Sequence, residues 1–196
     1  TAGRLARQAA DAAGAQVWVA GSLPPLFGSY RPDLFDAARV NEVLAPLVAG
    51  LAPHVDLWLA ETQSATAEAR TIRAGLPADG KPFWLSFTLQ DEDTDEVPRL
   101  RSGEPVAEAA AVAAELGVEV LLFNCSQPEV IGGAIDAARE TFARLGVQVA
   151  IGAYANAFPP QPKEATANDG LDPLRDDLDP PGYLQWAADW RARGAS

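Results

Sequence analysis

The chain has 196 residues, a formal net charge of −12, one cysteine and one histidine. That length can bury a sizeable core, and the acidic balance excludes a nucleic-acid surface, which needs clustered Lys and Arg. No apolar run approaches the roughly 20 residues of a membrane span, no signal peptide is visible, and a lone cysteine makes no internal disulfide, so a reducing, cytoplasmic setting is expected.

In chain order, Leu5–Ala13 is alanine-rich with helical spacing, and Gly14 is placed to stop it. Gln16–Ala20 (QVWVA) reads as a buried strand. The following loop, GSLPPLFGSYRP, carries Ser22, Phe27 and Tyr30, more polar and aromatic groups than a turn requires. From Asn41 to Leu51, Val43, Leu44, Leu47, Val48 and Leu51 form a helical stripe that packs as core. Val55–Ala60 is the next strand and delivers Glu61, Thr62, Gln63 and Ser64 at its end, with Ser64 as cap of a helix to about Ala74. Phe83–Phe87 repeats the pattern, followed by an acidic loop and a helix over Glu104–Leu116.

Val118 to Phe123 is an apolar run too compact for a helix, as expected of a strand buried on both faces. Asn124 and Cys125 follow it directly, and a helix runs from about Glu129 to Leu145. Val147–Ala153 is the last strand and leads into Tyr154, Ala155 and Asn156. A long Pro/Asp-rich loop and a closing helix over Gly182–Arg193 complete the chain.

Strands therefore begin near positions 16, 55, 82, 118 and 147, each followed by a helix. Such alternation specifies an α/β fold with a parallel sheet and right-handed crossovers. The first strand–helix turn lacks the GxGxxG loop of a dinucleotide binder, and the spacing scatters around the ~31 residues per unit of a (β/α)8 TIM barrel. The expectation is one such barrel domain over residues 1–196, incomplete in this chain, with about five βα units. Functional residues sit where strands end in parallel folds. Those ends carry Ser22, Glu61, Ser86 with Thr88, Asn124 with Cys125, and Tyr154 with Asn156. A carboxylate, a thiol and several amides and hydroxyls suit a small zwitterion. Two bland alternatives stand beside this: an inert buried thiol at Cys125, and a solvated Glu61 paired with an arginine.

Four segments carry a resemblance: VAGSLPP at Val19–Pro25, LAETQS at Leu59–Ser64, FNCSQPE at Phe123–Glu129 and AYANA at Ala153–Ala157. In order and spacing they resemble the homocysteine S-methyltransferase family, from about Ala20 to Ser196. The terminal YLQWAADWRARGAS looks like the helix that precedes that family's last strand. The resemblance implies a TIM barrel that holds Zn²⁺ through three cysteine thiolates. The implied reaction methylates homocysteine to methionine from S-methylmethionine, S-adenosylmethionine, betaine or a methylated folate. It also implies that Cys125 is the first zinc ligand and that Glu61 holds the homocysteine amino group. Ser22, Asn124, Tyr154 and Asn156 are expected to line the substrate. Homocysteine and a small methyl donor are then the only partners expected, with no nucleic acid and no membrane.

Departures accompany the likeness. The family's adjacent cysteine pair, in a GGCC-like turn, and its opening acidic DGG-type turn are missing from this sequence, and the SEYTG-like run after the first strand is absent. One cysteine does not hold a catalytic zinc, which takes three protein ligands. His54 precedes its strand, at the opposite end from Cys125, and is read as a surface residue. The absence of methionine, even as initiator, points to part of a longer chain. Two classes remain: a zinc-dependent methyltransferase without its terminal segments, and a catalytically silent barrel relative or truncated product that binds a small amino acid or nothing.

Overall fold

The computed structural model describes residues 2–91, 97–160, 170 and 173–196. Most of the acidic loop after residue 91 and much of the Pro/Asp-rich loop after residue 160 lie outside these. Five parallel strands, β1 (Ala20–Leu23), β2 (Leu57–Gln63), β3 (Phe83–Phe87), β4 (Val120–Asn124) and β5 (Ala150–Tyr154), form one sheet in the order β1-β2-β3-β4-β5. Helices alternate with them: α1 (Ala2–Ala12), α2 (Val40–Leu51), α3 (Thr66–Gly75), α4 (Val106–Glu115), α5 (Pro128–Leu145) and α6 (Pro180–Arg193). Each strand joins the same growing edge, so right-handed crossovers place the helices on one face of the sheet. No reversal of strand order occurs, hence no topological switch point of the doubly wound kind.

Strand alternation then sorts the side chains. Leu23, Trp58, Ala60, Phe83, Leu85, Phe87, Leu121, Phe123 and Ile151 face the helices and are buried with Leu44, Ile72, Ala110, Ile131 and Ile135 in one core. The alternate positions Ser22, Trp84, Val120, Leu122, Ala150 and Tyr154 are exposed or half-buried on the uncovered face. Register aligns these rows: Ser22, Leu59, Trp84, Val120 and Ala150 lie level, and Ser86, Leu122 and Gly152 form the row above.

Several expected boundaries move. The first strand is Ala20–Leu23 rather than Gln16–Ala20, and Val17 and Trp18 are exposed. Here side chains hold much of the backbone: the Asp56 carboxylate accepts from Val19 N at 2.7 Å and Arg7 donates to Val17 O at 3.3 Å, while Asp56 N donates to Val19 O at 2.8 Å. Ser22 consequently lies within β1, not in the loop after it. Strand β2 starts later and runs to Gln63, with a register shift between Ala60 and Gln63, so Glu61 is a strand residue at a bulge. The last strand begins at Ala150 rather than Val147.

Ser64 does not cap α3. The Glu68 carboxylate reaches back to Ser64 N (2.5 Å) and Ala65 N (2.8 Å), and the Ser64 hydroxyl is buried without a hydrogen-bond partner among the described residues. His54 is half-buried in the turn before β2, against Gly3 of α1, rather than at the surface. Helix α6 returns the chain to β5, where Ser196 N donates to Ile151 O at 3.0 Å. Among the described residues no helix is long and apolar enough to cross a membrane.

Candidate functional site

The carboxyl ends of the five strands bring most of the expected residues into one hydrogen-bonded cluster. Ser22 of β1 donates through Oγ to Glu61 Oε2 of β2 at 2.5 Å. Tyr154, the last residue of β5, donates to Glu61 Oε1 at 2.9 Å and also lies 3.2 Å from Ser86 Oγ. Ser86 of β3 donates to Asn124 Oδ1 of β4. Asn124 Nδ2 donates to Thr62 Oγ1 at 2.8 Å and to Cys125 Sγ at 3.0 Å. Both Ser86 and Asn124 are fully buried, whereas Glu61, Tyr154 and Cys125 are half-buried and Ser22 is exposed. The order of contacts follows the fold: consecutive parallel strands set these side chains at one height, and residues 61, 86, 124 and 154 share the uncovered face.

Among the described residues Glu61 pairs with hydroxyls and not with an arginine. An ionised carboxylate has about four lone-pair sites, so two hydroxyl donors leave it able to accept more. Burial raises the Tyr154 phenol well above its ordinary value; its hydrogen bond with Ser86 opposes this, and the Glu61 charge adds to it. Tyr154 is therefore a neutral donor.

Around Cys125 the backbone is strained. Cys125 (φ 52°), Thr62 (φ 62°) and Tyr30 (φ 68°) all occupy the left-handed region without being glycine. Tyr30 lies on the loop after β1, with its hydroxyl near Cys125 and the Asn156 side chain. Burial first, then the neighbouring Cys125, pushes the Tyr30 phenol far up. The Arg101 guanidinium stacks 5.4 Å from the Tyr30 ring centroid and forms a buried ion pair with Asp91 at 3.2 Å. Asn156 N bonds Ser126 O at 2.9 Å, and Ser126 Oγ accepts from Leu89 N at 2.8 Å. Asn156 thus joins the Cys125 end of the cluster through Tyr30, apart from Glu61.

Thr62, Tyr30, Arg101 and Asp91 are the additions that sequence reasoning did not commit to. Tyr30 carried a signal, as an aromatic hydroxyl in an unusually rich loop. The Arg101–Asp91 pair lies in a loop whose composition reads simply as solvated charge.

A metal requires more than this cluster supplies. Among the described residues no group of three His, Cys, Asp or Glu side chains could hold an ion. The described neighbours of the Cys125 sulfur are an amide and hydroxyls, not further ionisable ligands. A catalytic zinc takes three protein ligands, so the described residues alone do not fit it.

The family model described as Homocysteine S-methyltransferase matches residues 1–196. No curated protein matches the chain. Among solved structures, it is similar to a candidate phosphonomutase from Burkholderia cenocepacia J2315, with 17% identity and a TM-score of 0.49, covering 87% of this chain and 69% of that one. It is also similar to 2,3-dimethylmalate lyase, a PEP mutase/isocitrate lyase superfamily member, in two crystal forms, each with 14% identity and a TM-score of 0.46. These alignments cover 100% and 98% of this chain and 61% and 57% of the lyase chains.

Proposed function

Because this chain belongs to the homocysteine S-methyltransferase family, we propose that it takes part in moving a methyl group from a sulfonium or related donor to the thiol of homocysteine, giving methionine. The donor's methyl–heteroatom bond breaks, a carbon–sulfur bond forms, and the thiol proton is lost. With this reading goes a single barrel domain, the sheet β1–β5 being completed by strands outside this sequence. Ser22, Glu61, Asn124, Tyr154 and Asn156 are assigned to the substrate.

One observation carries it: Glu61 is a carboxylate at a strand end, braced by two hydroxyls, in a cluster that ends on the only thiol. Ser22 and Tyr154 fix its orientation, so an incoming ammonium meets a prearranged charge-assisted acceptor. At the other end, Asn124 orients the Cys125 sulfur, with Tyr30 beside it. Under this reading Cys125 supplies one thiolate toward zinc, and two further thiolates have to come from outside the sequence. Held by such a ligand set, a zinc ion would supply deprotonation of a substrate thiol. The work assigned to this chain's own residues, gripping and orienting the amino acid, does not depend on it.

The test is titration of the complete protein with L-homocysteine. Hydrogen bonds to charged groups contribute about 1.5–3 kcal/mol. Glu61→Gln keeps shape but not charge, so affinity is expected to fall roughly 10- to 150-fold, at 1.4 kcal/mol per decade. Unchanged affinity overturns the role of Glu61. The single thiol also favours a second reading, an amino-acid binder without catalysis. Tight homocysteine binding with no methionine formed, whichever of the four donor classes is offered, would select it.

A further inference from the structure

The Tyr154 hydroxyl has one proton and two acceptors within reach, Glu61 Oε1 at 2.9 Å and Ser86 Oγ at 3.2 Å. The Ser86 proton points onward to Asn124 Oδ1, which leaves the Ser86 oxygen free to accept. Asn124 in turn donates to Cys125 Sγ at 3.0 Å. A continuous path therefore joins the carboxylate to the thiol; Asn124 also branches to Thr62, and Tyr154 is the point where one proton has two acceptors to choose between.

We propose that Tyr154, Ser86 and Asn124 are positioning residues forming a switchable relay, through which an ammonium group on Glu61 strengthens the hydrogen bond that Asn124 holds on the Cys125 sulfur. The trigger rests on the reading of Glu61 given above. With Glu61 unfilled, the Tyr154 proton goes to the charged acceptor, because such bonds are about twice as strong as neutral ones. An ammonium neutralises that carboxylate and removes the advantage. The hydroxyl then rotates toward Ser86, with no proton transferred between residues. Three bonds now run head to tail, Tyr154 to Ser86 to Asn124 to Cys125, and hydrogen bonds in such a chain polarise one another. Ser86 and Asn124 are both fully buried, so no water competes along the middle of the path. Filling of the amino-acid site is thereby reported to the sulfur before any chemistry occurs.

The experiment follows the side-chain amide of Asn124 by proton–nitrogen NMR in the complete protein. Glu61→Gln imitates the neutralised carboxylate without ligand, and it should move the Asn124 amide proton facing Cys125 downfield. The movement should vanish in Glu61→Gln/Ser86→Ala and in Glu61→Gln/Tyr154→Phe, two cuts that guard against either variant misfolding. Saturating L-homoserine, which has the ammonium but no thiol, should move the same resonance in the wild type. In Ser86→Ala it should still bind, within about threefold, yet leave the resonance in place. An unmoved resonance in Glu61→Gln, with homoserine bound by the wild type, overturns the relay alone. Equal movement in both double variants, the sign of a through-space field, also overturns it. A response in Glu61→Gln with no homoserine binding overturns the proposal at its trigger, together with the reading of Glu61.

Discussion

Thr62 shows what the site demands of single residues. It is β-branched and sits at φ 62°, where such a residue is a genuine outlier. Strain of this kind costs about 1–3 kcal/mol and is held by its surroundings. The surroundings here are the β2 bulge and the Asn124 amide, which donates to Thr62 Oγ1 at 2.8 Å. Thr62→Gly relieves the strain but loses a hydrogen bond of about 0.5–1.5 kcal/mol and adds chain entropy, so its stability should stay within about 1 kcal/mol of wild type. Thr62→Val keeps shape and strain while removing the acceptor, and should cost about 1–2 kcal/mol. Glycine should thus beat valine in urea unfolding, the reverse of an ordinary strand position. A valine variant at least as stable as the glycine one would show that the backbone is not strained. The strands that carry Glu61 and lead to Cys125 were legible in the sequence, because compact apolar runs mark buried strands. The contortion between them was not, since a left-handed threonine is set by the bulge and not by its own propensity.

The elements were legible where periodicity was strong and nothing else competed for the backbone. Helix α5 runs to Leu145 and stops at Gly146, whose φ of 68° makes the left-handed cap that its position suggests. The start of β1 was misread because QVWVA has strand-like residues, yet Asp56 and Arg7 capture its backbone groups from elsewhere in the chain. The cap of α3 was misread for a similar reason. Ser64 has the right chemistry, but Glu68 at the third helical position reaches back first. Burial raises the Glu68 carboxyl above its ordinary value; the two backbone bonds oppose this and Glu104 adds to it. A group with a raised folded value contributes most below its unfolded value, near pH 4.3, and loses that contribution as pH rises through the folded value. At neutral pH the charge is therefore a liability, though the two accepted bonds are not. Glu68→Gln keeps an acceptor and should stay within about 1 kcal/mol at pH 7, with a flatter pH profile between pH 4 and 7. Glu68→Ala abandons both amides and should cost about 1–2 kcal/mol, as loss of a helix cap does. Equal losses in the two variants, measured by denaturant midpoint, would mean that the charge itself stabilises α3.

At the scale of the molecule, the open sheet and the net charge act against each other. The edge strands β1 (AGSL) and β5 (AIGAY) contain no charged residue; in the 196-residue chain taken by itself Ser196 covers β5 at Ile151, and the uncovered stretches of such edges template pairing with another chain. Half-exposed Trp84, Val120 and Leu122 on the uncovered face add apolar surface beside them. The charge of −12 opposes contact between copies at neutral pH, and salt or an approach to the isoelectric point near 4.4 removes that repulsion. In 1 M salt the screening length is about 3 Å, so edge pairing is left to decide. Self-association seen by sedimentation should therefore rise with salt at pH 7. Ala150→Lys puts a charge on the exposed start of β5, and Ala9→Lys puts the same charge on the exposed surface of α1. Both variants have a net charge of −11, from −12 plus one. If whole-molecule repulsion were the controlling factor, both would associate slightly more readily than wild type. Edge control predicts a split: Ala9→Lys follows wild type, while Ala150→Lys stays dispersed to higher protein concentration with an unchanged unfolding midpoint. Matching behaviour of the two lysine variants in 1 M salt would take both the β5 edge and the uncovered face beside it, where Ala150 lies level with Val120, out of the account.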